Sequence, residues 1–170
     1  MRLFNILDCK FRGHKKEYIL QSLITVGIVA VVLLFLDLLA DGIVVASIGA
    51  SSTIAFGNPH DKTAGPRYLI GGYMFGVISG AACAGLVFLI HELFPGVNSD
   101  TTMALLGAFS VGLTMFLMVI TNTEHPPASA LALGLTLDGF CPTAASVAII
   151  GISSISLIQR LLKKHLVDLY

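Results

Sequence analysis

Apolar residues in this chain gather into long uncharged runs rather than into alternating or three-four spacings. Tyr18 to Leu36, Tyr68 to Ile90, Thr101 to Thr123 and Gly139 to Gln159 each hold about 20 residues, the helical length that crosses roughly 30 Å of hydrocarbon. Two shorter runs lie between them. "IVVASIGASSTIAFG", from Ile43 to Gly57, is interrupted by Gly49, Ser51, Ser52 and Thr53, and "PASALALGL", from Pro127 to Leu135, follows the third long run. The order long, short, long therefore occurs twice. The pattern predicts an all-α, polytopic membrane helical bundle with two short broken or re-entrant helices. It also allows an inverted repeat, with halves at approximately 18–91 and 101–163 of a single transmembrane domain, 1–170.

Composition agrees with the pattern: 55% of the 170 residues are hydrophobic and only 12% charged, outside the range of soluble domains. The formal net charge is zero and the basic residues sit mainly in short terminal segments, so no nucleic-acid groove is expected. Lys10, Arg12, Lys15 and Lys16 read as cytoplasmic anchors. The first span is read as retained rather than cleaved, because Asp37 and Asp41 follow it without a small-x-small site.

Lys62 and Arg67 discriminate two topologies. If the short runs dip in and return, the chain crosses four times and these two residues lie opposite the basic termini. If the short runs cross, there are six crossings and every Lys and Arg is cytoplasmic, leaving Asp37, Asp41, Asp138 and the loop "HELFPGVNSD" outside. Six is preferred, with both termini cytoplasmic and the halves inverted. A helix of 11 to 15 residues covers only about 16 to 22 Å. Such a crossing needs extended backbone at one end, shielded by protein or lining a wet cavity.

In "GGYMFGVISGAACAG", Gly72, Gly76, Gly80 and Ala84 recur every four residues on one helix face, which allows close backbone approach. The sequence leaves open whether the partner helix belongs to the same chain. Six thin helices shield little polar interior from lipid, so a homo-oligomer embedded in membrane lipid is expected.

Candidate chemistry concentrates in "TNTEHPPASALALGL". Pro126 or Pro127 suits the first turn of a helix, and the amides of Ala128, Ser129 and Ala130 near its positive end would favour an anion. His125, Glu124, Thr123, Asn122 and Thr121 form a polar cluster just ahead, whose plainer reading is a hydrated interfacial loop. A protonated His125 would add a full charge near neutral pH. The other short run supplies Gly49, Ser51, Ser52 and Thr53, read either as a second half-helix N-terminus or as a small-residue packing face. Arg67 is either an anion contact or a membrane anchor. The five histidines show no metal spacing, and no cofactor or metal site is expected. Cys9, Cys83 and Cys141 read as small buried hydrophobes.

"GASSTIAFGNPHDKTAGPRYLIGG", from Gly49 to Gly72, and "TNTEHPPASALALGL" together resemble the signature segments of the HPP family of integral membrane proteins. The resemblance rests on Gly-Ala-Ser, Phe-Gly-x-Pro, Pro-Arg ahead of a Gly-Gly pair, and His-Pro-Pro-Ala, in that order between apolar spans. Family members are usually described with four spans, and some are linked to nitrite transport. The resemblance implies a non-enzymatic transporter of nitrite or a similar small anion, in a bacterial inner membrane or an equivalent energy-coupled membrane. The alternatives are an intramembrane enzyme using His125 and Glu124 as acid and base, and a small-molecule sensor or assembly subunit without flux.

Overall fold

The computed structural model describes residues 15–35 and 42–169. The basic segment with Lys10 and Arg12, and the acidic pair Asp37 and Asp41, lie outside the described residues, as does Cys9. Among the described residues six α-helices follow in chain order: α1 (Lys15–Phe35), α2 (Gly42–Gly57), α3 (Pro66–Leu93), α4 (Ser99–Thr121), α5 (Pro126–Leu137) and α6 (Pro142–Leu162). Among the described residues α3, α4 and Pro142–His165 are long and apolar enough to cross a membrane, while α2 and α5 are shorter apolar helices. At 1.5 Å per residue, α2 and α5 are about 24 and 18 Å long. Large apolar side chains such as Phe88, Leu105 and Leu157 are more than half exposed on the outside of the bundle, as lipid contact requires.

Local chemistry sets the helix ends. Pro66, Pro126 and Pro142 each open a helix, where a missing N–H costs nothing. Asn98 caps α4 by accepting from the Thr101 amide at 2.9 Å. Asn122 closes the same helix in the left-handed region at φ 54°, a conformation Asn tolerates.

Hydrogen bonds between elements fix the direction of each helix. The Gln21 side-chain amide of α1 donates to the Phe56 carbonyl at the end of α2, so these helices run antiparallel. At the start of α3, Arg67 donates to the Thr121 carbonyl at 2.8 Å and Tyr68 to Asn122 at 3.1 Å, which brings the end of α4 to that level. Near the end of α6, Gln159 donates to the Pro59 carbonyl at 2.9 Å. Each short helix thus carries the chain from one end of the bundle to the other. Lys16, Lys62, Arg67, Arg160, Lys163 and Lys164 all stand at the end where α1 begins, and among the described residues the opposite end holds Glu92, Asp100 and Asp138 without a Lys or Arg. The C-terminal tail crosses the basic end: Leu169 donates to the Gly57 carbonyl at 2.8 Å, and Val167 exchanges two hydrogen bonds with Gln21.

The glycine face of α3 finds its partner within the chain, in α5 and the residue ahead of it. A Cβ placed on Gly72 would lie 2.6 Å from the His125 Cβ, one on Gly76 2.5 Å from the Ala128 carbonyl oxygen, and one on Gly80 2.8 Å from the Leu135 Cβ. Only glycine permits this approach. At the far end, Gly134 of α5 receives Ile43 of α2 in the same manner. Of the two readings of the segment around Gly49, the helix start is excluded: α2 is continuous, with Ser47, Ser51 and Ser52 bonded back to the carbonyls of Val44, Ser47 and Ile48. Cys83 is buried as expected, but Cys141 is exposed, because it caps α6 at the bundle's end.

Candidate functional site

His125 occupies the N-cap position of α5, in extended backbone at φ −143° and ψ 92°. Two features carry the chain inward from the end of α4 to this point. The left-handed turn at Asn122 stops the helix, and the residue before a proline is steered away from the helical region. Gly71 and Gly72 leave room for the descending connector, with Thr123 over the first and His125 over the second. The connector therefore packs against α3 about 7 Å deeper than Arg67, five residues earlier on that helix. Thr123 and His125 are buried, and His125 is 0% exposed.

Ser51 of α2 is the hub of the site. Its Oγ lies 2.8 Å from His125 Nε2, 2.9 Å from the Tyr73 hydroxyl of α3 and 2.9 Å from the Ser47 carbonyl oxygen. The Tyr73 and His125 rings stand 5.7 Å apart, tilted by 42°. The His125 amide points to the Met118 sulfur at 3.3 Å. Ser51, Tyr73 and His125 are each fully buried, so a polar centre built by α2, α3 and the α5 connector sits inside the bundle.

The other sequence candidates fall around this centre. Ser52 is buried but bonded to Ile48, while Thr53 is exposed, as is Ala130, and Gly49 has open space beside it. Ala128 is buried against Gly76, and Ser129 is half-buried. Thr121 bonds to the Leu117 carbonyl and to Thr123, and Asn122 accepts from Tyr68, so both help fix the connector at the rim. Arg67 stands exposed at that rim. Glu124 is half-buried, and its Oε2 is enclosed without a hydrogen-bond partner.

The start of α5 has a property that the residue types conceal. Pro126 and Pro127 have no N–H, and the Ala128 amide donates to the His125 carbonyl at 2.9 Å. The amides of Ser129 and Ala130 fall in the helical register, where they face the carbonyls one turn earlier. The dipole end is present, but its first three positions offer no open donor.

Tyr73 and Ser47 were not among the sequence candidates. Ser47 lies four residues before Ser51, on the same face of α2, and Tyr73 lies three residues before Gly76, on the glycine face of α3. Those spacings were the available signals.

The family model for the HPP transmembrane region matches residues 12–158. A transmembrane protein of Dictyostelium discoideum is 34% identical over 91 residues, which is 54% of this chain and 29% of that protein's own length. This chain thus aligns with less than a third of that relative. No solved structure matches significantly. With a match from before α1 to the last turns of α6, the chain belongs to the HPP transmembrane family and is a multi-pass integral membrane protein.

Proposed function

We propose that this protein transports a small inorganic anion, nitrite or one like it, with Ser51 and His125 at the point of passage. The observation that carries this reading is the 2.8 Å contact between Ser51 and His125, which ties the short helix of the first half to the entry of the short helix of the second. Short helices in corresponding positions of two halves are where transporters bind substrate. Ionisable and polar groups within a membrane bundle are costly and are retained for a pathway or a partner. In this reading the basic end of the bundle is cytoplasmic, both termini are cytoplasmic, and α2 and α5 complete six crossings. Homo-oligomers would shield the thin bundle from lipid.

A serine beside a histidine is also the arrangement of a nucleophile and its base. Here Ser51 gives its hydrogen to the Ser47 carbonyl, and no third group orients His125 Nδ1, so the hydrolytic arrangement lacks two of its parts.

Purified protein in liposomes, assayed with nitrite, nitrate, formate and chloride gradients against protein-free vesicles, tests the reading. Flux of at least one small anion above the protein-free rate, reduced in His125→Ala, is expected. No protein-dependent flux of any of them under any gradient would refute transport.

A further inference from the structure

The hydrogens around Ser51 have one assignment in which all three of its contacts are hydrogen bonds. The hydroxyl has one hydrogen and three polar neighbours, of which the Ser47 carbonyl can only accept. In that assignment Ser51 donates to Ser47, and both remaining contacts bring their own hydrogens. Tyr73 donates its O–H and His125 its Nε2–H. In the neutral ring this leaves Nδ1 as a bare lone pair, and Nδ1 is buried without a partner. A second enclosed acceptor, Oε2 of Glu124, stands on the adjacent residue, also without a partner.

These two acceptors are unsuited to a bare anion. The entry of α5 has no open amide, and the groups in contact with His125 are the hydroxyl of Ser51, the ring of Tyr73 and the sulfur of Met118. Arg67 remains at the exposed rim, engaged with Thr121. An anion taken to this depth would lose its water and meet lone pairs rather than donors. A neutral molecule with an O–H would supply the missing donor.

We propose that the substrate passes His125 as the neutral form of a weak acid, its O–H donating to Nδ1, so that one proton accompanies each anion. This rests on the transport reading above and names its substrate class: conjugate bases of weak acids such as nitrite and formate, to the exclusion of chloride and nitrate. The acid enters the site with its proton, crosses intact and dissociates on the other side. No net charge moves, and one proton is released for each anion delivered. Arg67 serves at the rim, where the anion is still hydrated and is gathered before it is protonated from water.

Proteoliposomes containing a pH dye, with the membrane potential clamped by potassium and valinomycin, test this after subtraction of protein-free vesicles. Nitrite and formate should acidify the interior by one proton per anion, at a rate insensitive to potential that rises about tenfold per unit fall in external pH while the anion predominates. Chloride or nitrate moving as fast as nitrite, or nitrite flux that follows the potential, would overturn the neutral-acid mechanism while leaving transport intact. Absence of all flux would instead overturn the transport reading. His125→Gln retains a donor toward Ser51 but removes the Nδ1 lone pair, and should reduce nitrite flux by about tenfold, the worth of one strong hydrogen bond. A wild-type rate in a folded His125→Gln protein would overturn the assignment. Nitrogen NMR of the wild-type protein labelled with ¹⁵N-histidine reads the tautomer directly: a protonated Nε2 and bare Nδ1 at neutral pH are expected, and a proton on Nδ1 contradicts the proposal.

Discussion

Replacing Gly76 with alanine probes the contact that sets His125 in place. The new Cβ would lie 2.5 Å from the Ala128 carbonyl oxygen, whereas real Cβ atoms essentially never approach a neighbour closer than 3.0 Å. The obstructing atom is backbone, so no side chain can rotate away, and α3 and α5 must separate by about 0.5 Å at this point. Overpacking of this kind costs about 1–3 kcal/mol. Alanine also gains about 1 kcal/mol of helix propensity over glycine, which would mask part of the cost. Gly85→Ala supplies the control, because Gly85 lies on the same helix with nothing within 4 Å. The propensity gain is common to both variants, so their difference isolates the packing cost. At 2–4 °C per kcal/mol, Gly76→Ala should melt roughly 2–12 °C below Gly85→Ala in mild detergent. Its liposome flux should also fall, since α5 carries His125 away from Ser51 as it shifts. Equal melting temperatures and equal fluxes for the two variants would refute the close packing of α3 on α5.

Three further outcomes follow from the same geometry. In a background without Cys9, Cys83 and Cys141, an impermeant thiol reagent on intact cells should label Asn98→Cys and spare Lys62→Cys; the reverse pattern would overturn the assigned sidedness. Gln21→Leu strands the Phe56 carbonyl and releases the tail at Val167, at about 1–3 kcal/mol per buried group left unpaired, so the tail should become sensitive to limited proteolysis, and unchanged resistance would show that Gln21 does not hold it. Asp61 accepts from the hydroxyl and the amide of Thr63, and these bonds, with the nearby Lys62 charge, hold its carboxyl below the usual carboxylate range. A depressed carboxylate stabilises the folded turn above its unfolded pKa and loses that contribution as pH falls through its folded value. Hydrogen exchange in Lys62–Ala64 should therefore be unchanged between pH 7 and 5 after correction for intrinsic rates and accelerate only in stronger acid; acceleration already by pH 5 would contradict the cap.

The six helices were legible because each apolar run is bounded by proline, a polar cap or a charge, and because helix is the unbroken structure that satisfies its own backbone in lipid. The packing of Gly72, Gly76 and Gly80 was legible as a face, but its partner was not, since a small-residue stripe accommodates any close helix. Gly49 and the serines beside it suggested a break, yet the hydroxyls bond back along α2 and leave it continuous. The amides of Ala128, Ser129 and Ala130 looked available from residue type alone; the turn at His125 and the helical register engage them. Ser51 and His125 were each singled out from sequence, but their contact spans 74 positions, and no local rule relates residues so far apart. Tyr73 stayed hidden because a tyrosine inside an apolar run reads as packing until the hydroxyl it meets is known.

Ser51→Cys tests most directly whether substrate passes between the two short helices. The substitution keeps the size and the weak donor of the side chain at the hub, and Thr53→Cys, exposed on the outer face of the same helix, is its control. Nitrite flux would be measured in proteoliposomes lacking the native cysteines, before and after a small neutral methanethiosulfonate, with the extent of modification read by mass spectrometry. The account predicts that Ser51→Cys is modified during turnover and that its flux is then abolished, while modified Thr53→Cys transports as before. Undiminished flux through modified Ser51→Cys, or a cysteine that stays unmodified while nitrite flows, would place the path elsewhere.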